Sequence, residues 1–199
     1  MKKVTLAITG ASGMPFAIGV LNELLKQGSS VNVVISNAGL ITFAQECGFK
    51  LSSNPSRCKQ ILITHYGWGN YAKQLSVYAS QDWYAPIASG SSVDDVMIVC
   101  PCSMATLGKI AAGIGEDLIT RAADVCLKER KNLIIVPRET PLSAIHLENM
   151  LKLAKLGVSV IPPVPAFYAH PKSIADIVDF IVARILDQAG VANNLALRW

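Results

Sequence analysis

Charge is scarce in this 199-residue chain: Asp, Glu, Lys and Arg make up 16% of it, against about 25% in an ordinary globular domain. With 51% hydrophobic residues it has the opposite balance from a disordered chain. It also lacks any apolar run near the roughly 18 residues that span a bilayer, although its mean hydropathy is +0.39. The apolar surplus must therefore be hidden in the core or against other subunits, and a homo-oligomer is expected. No basic stripe interleaved with aromatics is present. The 18 Lys and Arg against 14 Asp and Glu give a formal charge of +4, scattered except at Lys128, Arg130 and Lys131. Nucleic acid is not the expected partner, whereas a diffuse positive field suits small phosphates.

Other signals are missing as well. After Met1-Lys2-Lys3 the apolar stretch is too short for a secretion signal and is interrupted by Thr9-Gly10. Cys47, Cys58, Cys100, Cys102 and Cys126 are odd in number and lack framework spacing, so they read as reduced thiols of a cytoplasmic protein. His65, His146 and His170 are isolated, and Cys100-Pro101-Cys102 is too tight for zinc spacing. Asp94-Asp95 runs straight into Val96-Met97-Ile98, so no D-D-x-x-D cluster exists to hold magnesium and diphosphate. No metal is expected. Repeats, low-complexity tracts and linkers are absent too, which makes 1–199 a single domain; residues 190–199, without a clear partner, are expected to form an arm.

What is present is alternation. Short β-branched runs at residues 4–9, 31–35, 96–100, 133–137 and 158–161 read as strands. Helical periodicity appears at 16–27, 40–48, 105–112, 117–130, 143–156 and 173–189. Between 50 and 93 the pattern breaks up, with one further strand expected at 75–79. Near-continuous apolar strands with helical crossovers predict a three-layer α/β fold of the flavodoxin or Rossmann type, with a mostly parallel sheet.

In such a sheet ligands sit beyond the carboxyl ends of the strands. Three of those ends carry small polar residues: Thr9-Gly10-Ala11-Ser12-Gly13, Ser36-Asn37-Ala38-Gly39 and Pro101-Cys102-Ser103-Met104-Ala105-Thr106. They either converge on one mononucleotide, whose phosphate would meet helix N-termini, or are three ordinary turns and caps. The first is not G-x-G-x-x-G, since Ser12 and Pro15 stand at glycine positions, and not a Walker loop, since no Gly-Lys-Ser/Thr follows. Asp82-Trp83-Tyr84 and Ala88-Ser89-Gly90-Ser91-Ser92 form either a pocket wall or a surface loop with Trp83 in a subunit interface. Arg121 and Lys128 share a helix face with Asp124, as a solvated face commonly does. Arg138-Glu139 follows a buried strand directly, where a guanidinium can grip a phosphate and a carboxyl can exchange a proton, or the two can simply cap the strand.

Taken jointly, these segments closely resemble the UbiX-type flavin prenyltransferases over nearly the whole chain. Also matching are Arg121-Ala-Ala-Asp124 through Lys128-Glu129-Arg130, Val136-Pro137-Arg138-Glu139-Thr140-Pro141 and His146-Leu147-Glu148-Asn149-Met150. The resemblance implies a flavodoxin-like subunit in a homododecamer. It also implies that the dimethylallyl group of dimethylallyl phosphate is joined to N5 and C6 of reduced FMN, without metal. The prenylated FMN is then passed to a UbiD-type decarboxylase in ubiquinone biosynthesis or aromatic-acid metabolism.

By the same resemblance, Gly10, Ala11, Ser12, Ser36 and the turn Ser103, Met104, Ala105, Thr106 hold FMN, with Arg138 beside it. Lys128, Arg138, Tyr168 and Arg184 surround the prenyl phosphate, with Arg121 near. Glu139 protonates the leaving phosphate, Glu46 assists proton removal from flavin C6, Trp83 flanks the allylic cation and Ser12 positions or relays protons near N5. Two other readings compete. An FMN-dependent cysteine decarboxylase would carry P-A-S-A-N-T, but here Ala105 replaces the Asn and the P-x-M-N-x-x-M-W clamp is missing. A non-catalytic flavin carrier would have no need of Lys128, Glu139, Tyr168 and Arg184 together.

Overall fold

A computed structural model describes residues 1–195 of the chain. Six strands, β1 (Lys3–Ile8), β2 (Ser30–Ile35), β3 (Leu75–Tyr78), β4 (Val96–Cys102), β5 (Asn132–Pro137) and β6 (Ser159–Val160), form one sheet in the order β3-β2-β1-β4-β5-β6. Every pairing is parallel. The sequence left flavodoxin and Rossmann orders open; this is the Rossmann order, whose direction reverses between β1 and β4.

The helices are α1 (Met14–Lys26), α2 (Asn37–Cys47), α3 (Pro55–Tyr66), α4 (Met104–Ala112), α5 (Leu118–Lys128), α6 (Ala144–Lys155) and α7 (Ile174–Gln188). Strand side chains alternate between two cores. Leu6, Ile8, Val33, Ile98 and Val136 pack on one face with α1, α3 and α7, while Met97, Val99, Leu133 and Ile135 pack on the other with α4 and α5. Both faces being covered explains why the strands read as unbroken apolar runs.

The helix α3 was not expected from the pattern between 50 and 93. It starts with Asn54, whose side chain accepts from the Arg57 amide at 3.1 Å, and ends on Gly67 at φ +69°. Only Cys58 and Leu62 of this helix are buried, too narrow a stripe to show as periodicity. Of the segment expected to be an arm, Val191 and Asn193 are buried and Leu195 packs on the α1/α7 core. The Lys2 ammonium donates to the carbonyls of Ala189 and Gly190, pinning that exit to the start of β1. Residues 196–199 lie outside the described residues.

Candidate functional site

At the switch point the carboxyl ends of β1 and β4 are sewn together by Thr9. Its amide and its hydroxyl both donate to the Pro101 carbonyl, at 3.2 and 2.8 Å, and the hydroxyl oxygen accepts from the Ser103 amide at 2.8 Å. Thr9 is 1% exposed. It was not singled out as a site residue in the sequence, although a hydroxyl closing an apolar strand was a visible signal.

Beyond Thr9 the β1–α1 turn lies against the β2–α2 turn. A Cβ on Gly10 would sit 2.5 Å from the Ala38 Cβ, and one on Gly39 would sit 2.8 Å from the Ile8 carbonyl oxygen. Thr42 donates to the Gly10 carbonyl at 3.3 Å. Only glycine backbones fit this close approach, which brings main chain of the two turns together at the strand ends. Ser36 caps α2 by accepting from the Gly39 amide at 3.0 Å, and Ser103 caps α4, with its hydroxyl 3.0 Å from that of Thr106. The first amides of α2 and α4 have no carbonyl a turn behind them and carry the positive end of the helix dipole. A cradle of glycine main chain, two hydroxyl caps and two helix N-termini fits a nucleotide phosphate and ribityl chain.

The N-terminus of α1 is different. The sequence offered its amides to a phosphate, but Glu46 fills it. One carboxylate oxygen accepts from the amides of Gly13 and Met14 at 3.0 and 2.8 Å. Burial acts to raise the Glu46 pKa; hydrogen bonds from the Ser12 side chain and the Gly13 and Met14 amides, with the charge of Arg138, outweigh it and hold the carboxyl below its ordinary value. The Arg138 Nε donates to the Ser12 carbonyl at 3.3 Å, and its amide donates to the Cys102 carbonyl at 3.2 Å. The end of β5 is thus tied to both the β1–α1 turn and the end of β4. Gly10, Ala11, Ser12, Ser36, Glu46, the 103–106 turn and Arg138 are therefore one assembly, with exposed Glu139 next in chain.

The remaining candidates form separate groups. Arg121 on α5 donates through Nε to the Ala88 carbonyl at 3.2 Å and pairs with Asp124 at 3.1 Å. Lys128, seven residues on, is ion-paired with Glu129. A Cβ on Gly90 would meet that pair, 2.7 Å from the Lys128 ammonium, so α5 and the 88–92 turn make one cationic patch. Arg184 pairs with Asp187 at 3.2 Å near the end of α7, whose Gln188 carbonyl accepts from Asn132 at the amino end of β5. That places Arg184 toward the end of the sheet away from the Gly10 turn. Tyr168 packs edge-on against Phe180, ring centroids 6.2 Å apart, and is 60% exposed. Trp83, 45% exposed, sits in the loop after β3. The hydrogen bonds and ion pairs of Arg121, Lys128 and Arg184 tie them to their own helices and to the 88–92 turn, not to the Gly10 turn.

Four of the five thiols, Cys58, Cys100, Cys102 and Cys126, are buried. Burial pushes Cys58 up to about 11 and Cys126 up to about 12, and raises Cys100 and Cys102 as well. Among the described residues no group of three or more His, Cys, Asp or Glu side chains is placed to hold a metal ion, and no helix is long and apolar enough to cross a membrane.

Comparison with known proteins agrees with this architecture. The Flavoprotein family model matches residues 1–186. The flavin prenyltransferase UbiX of Pseudomonas aeruginosa is 46% identical over 198 residues, covering 100% of this chain and 94% of that protein. A crystal structure of AnUbiX in complex with FMN and dimethylallyl pyrophosphate superposes with a TM-score of 0.86 at 39% identity, covering 100% of this chain and 97% of that one. A dodecameric FMN-dependent UbiX-like decarboxylase from Escherichia coli O157:H7 gives 0.85 at 40% identity, covering 99% and 98%. By contrast, an FMN-dependent cysteine decarboxylase from thioviridamide biosynthesis is 18% identical with a TM-score of 0.59 and shares the fold alone. The chain is a flavoprotein and belongs to the UbiX family of flavin prenyltransferases.

Proposed function

We propose that this protein joins the dimethylallyl group of dimethylallyl phosphate to N5 and C6 of reduced FMN, releases phosphate and delivers the product to a UbiD-type decarboxylase in the cytoplasm. The observation that carries this reading is the preformed main-chain cradle at the β1, β2 and β4 ends, with Arg138 and Glu139 on its rim. Gly10, Ala11, Ser12, Ser36 and the Ser103, Met104, Ala105, Thr106 turn hold the nucleotide, its phosphate near the N-termini of α2 and α4 rather than α1. The flavin supplies the two nucleophilic positions, N5 and C6.

The chain's own residues govern the leaving group. Lys128, Arg138, Tyr168 and Arg184, with Arg121, take up the charge that grows on phosphate as the allylic C–O bond breaks, which is where electrostatic stabilisation lowers a barrier most. Glu139 delivers a proton to that phosphate. Trp83 lies against the five-carbon fragment and stabilises positive charge through its ring face. Ser12 and Glu46 form a hydrogen-bonded pair that receives the proton lost from C6, an assignment consistent with a carboxylate held ionised.

Because Arg184 and the α5 patch lie away from the cradle, we assign completion of the phosphate site to neighbouring copies in a dodecamer. Ile145, Leu147, Leu151, Phe167 and Ile174 are each more than half exposed, and this apolar surface supports that packing. Ala105, where cysteine decarboxylases carry Asn, counts against that chemistry. Anaerobic mixing with reduced FMN and dimethylallyl phosphate tests the proposal: stoichiometric phosphate release requires both compounds, whereas a flavin carrier would bind FMN and release none. Loss of release on Glu139→Gln is expected, and unchanged release would remove Glu139 from the mechanism.

A further inference from the structure

Three of the four cations assigned to the prenyl phosphate share a feature the reaction itself does not call for: Arg121, Lys128 and Arg184, unlike Arg138, are already neutralised by an adjacent carboxylate. Arg121 pairs with Asp124 and Arg184 with Asp187, at 3.1 and 3.2 Å. Lys128 pairs with the residue next to it, Glu129. The Lys128–Glu129 pair also lies against the 88–92 turn: the first atom that a Cβ on Gly90 would meet is a Glu129 carboxylate oxygen, followed by the Lys128 ammonium at 2.7 Å. An anion approaching Lys128 over Gly90 therefore meets a Glu129 carboxylate oxygen before it meets the ammonium. Lys128 and Glu129 are 48% and 38% exposed in their side chains, so the pair is held by charge rather than by packing and can open for a competing anion. The ammonium beside Glu129 keeps its carboxyl below the ordinary value, so the negative charge is present at neutral pH.

From this we infer that Glu129 is a specificity-determining residue, a displaceable counter-charge that admits a prenyl monophosphate and discriminates against the diphosphate. Arg121, Lys128, Asp124 and Glu129 together bring two positive and two negative charges to the patch. A monophosphate carries about −1.5 to −2 at neutral pH and needs only to displace one carboxylate from Lys128. A diphosphate brings roughly one more negative charge to the same place and a second phosphoryl group that must lie beside Glu129. Specificity built from a repulsive element in this way loses affinity for both ligands but loses more for the more highly charged one. The inference rests on the assignment of Lys128 to the phosphate site.

The test is steady-state kinetics of the full-length protein with reduced FMN and either dimethylallyl phosphate or dimethylallyl diphosphate, comparing wild type with Glu129→Gln, Glu129→Asp and Lys128→Ala. Glu129→Gln is expected to raise the diphosphate-to-monophosphate ratio of kcat/KM by about threefold, the size of one charge contact at a partly exposed site. Glu129→Asp, which keeps the charge, is expected to hold the wild-type ratio. A ratio unchanged in Glu129→Gln, or raised equally in Glu129→Asp, overturns the inference. Lys128→Ala separates the two levels. If it cripples monophosphate use while Glu129→Gln leaves the ratio alone, only the specificity role fails. If Lys128→Ala is itself without effect, the phosphate assignment fails and the specificity role with it.

Discussion

The strand-end cradle and the cationic patch are built in opposite ways. In the cradle, Thr9, Glu46 and Arg138 are joined to main chain of distant segments by hydrogen bonds of 2.8 to 3.3 Å, and glycines stand where a Cβ would collide. In the patch, Arg121 and Lys128 are held mainly by exposed pairs with carboxylates one or three residues away. Geometry of the first kind is fixed before any ligand arrives; charge of the second kind is loosely stored and can be redirected. A large planar flavin needs a rigid floor so that N5 and C6 are presented at one angle. A leaving phosphate needs charge that follows it as the bond lengthens.

Breaking the floor gives the largest expected effect. Gly10→Val places branched carbon where even a Cβ lies 2.5 Å from Ala38. FMN binding, followed by flavin fluorescence, is expected to be lost, and overpacking to cost about 1–3 kcal/mol in thermal or urea unfolding. Retained flavin affinity would show that the two turns are not the floor. Next in size is Lys128→Ala, expected to lower product formation by about 10²–10³-fold while leaving the FMN dissociation constant unchanged. That split is the sharpest contrast between the two regions, and equal loss of both would erase it.

Glu46→Gln sharpens the comparison through pH. Because the folded-state pKa of Glu46 is lowered, its stabilising contribution is complete above the ordinary carboxylate value near 4.5 and disappears as pH falls through the lower folded value. The stability gap between wild type and Glu46→Gln, about 1 kcal/mol by analogy with other helix caps, should therefore be present at neutral pH and close in acid. A gap constant down to pH 3 would contradict the capping role. The smallest effect is expected from Ser103→Ala, which removes the α4 cap. It should cost up to about 1 kcal/mol in unfolding and weaken FMN binding slightly, with kcat for bound flavin little changed.

Much of this was legible in the chain, for identifiable reasons. Strands buried on both faces carry their own signature, so β1, β2, β4 and β5 stood out, and small polar residues after apolar runs marked their carboxyl ends. Helix α3 escaped because only Cys58 and Leu62 are fully buried, although Asn54, Pro55 and Gly67 were signals of a start and a stop. The seat of Glu46 was not legible: its carboxylate meets amides more than thirty positions away, and periodicity says nothing about where an exposed side chain reaches. Thr9 to Pro101 spans 92 positions for the same reason. The Arg121–Asp124 pair lies at i,i+3 and was visible as a helix face. That its carboxylate occupies a cation of the proposed phosphate site became evident only with the fold.

The most direct test of the central claim is the mass of the flavin recovered after anaerobic turnover with reduced FMN and dimethylallyl phosphate, in the presence of a chelator. The account predicts a flavin heavier by one dimethylallyl unit, formed by wild type and not by Gly10→Val. Recovery of unaltered FMN from a wild-type protein that binds it tightly would contradict prenyl transfer outright.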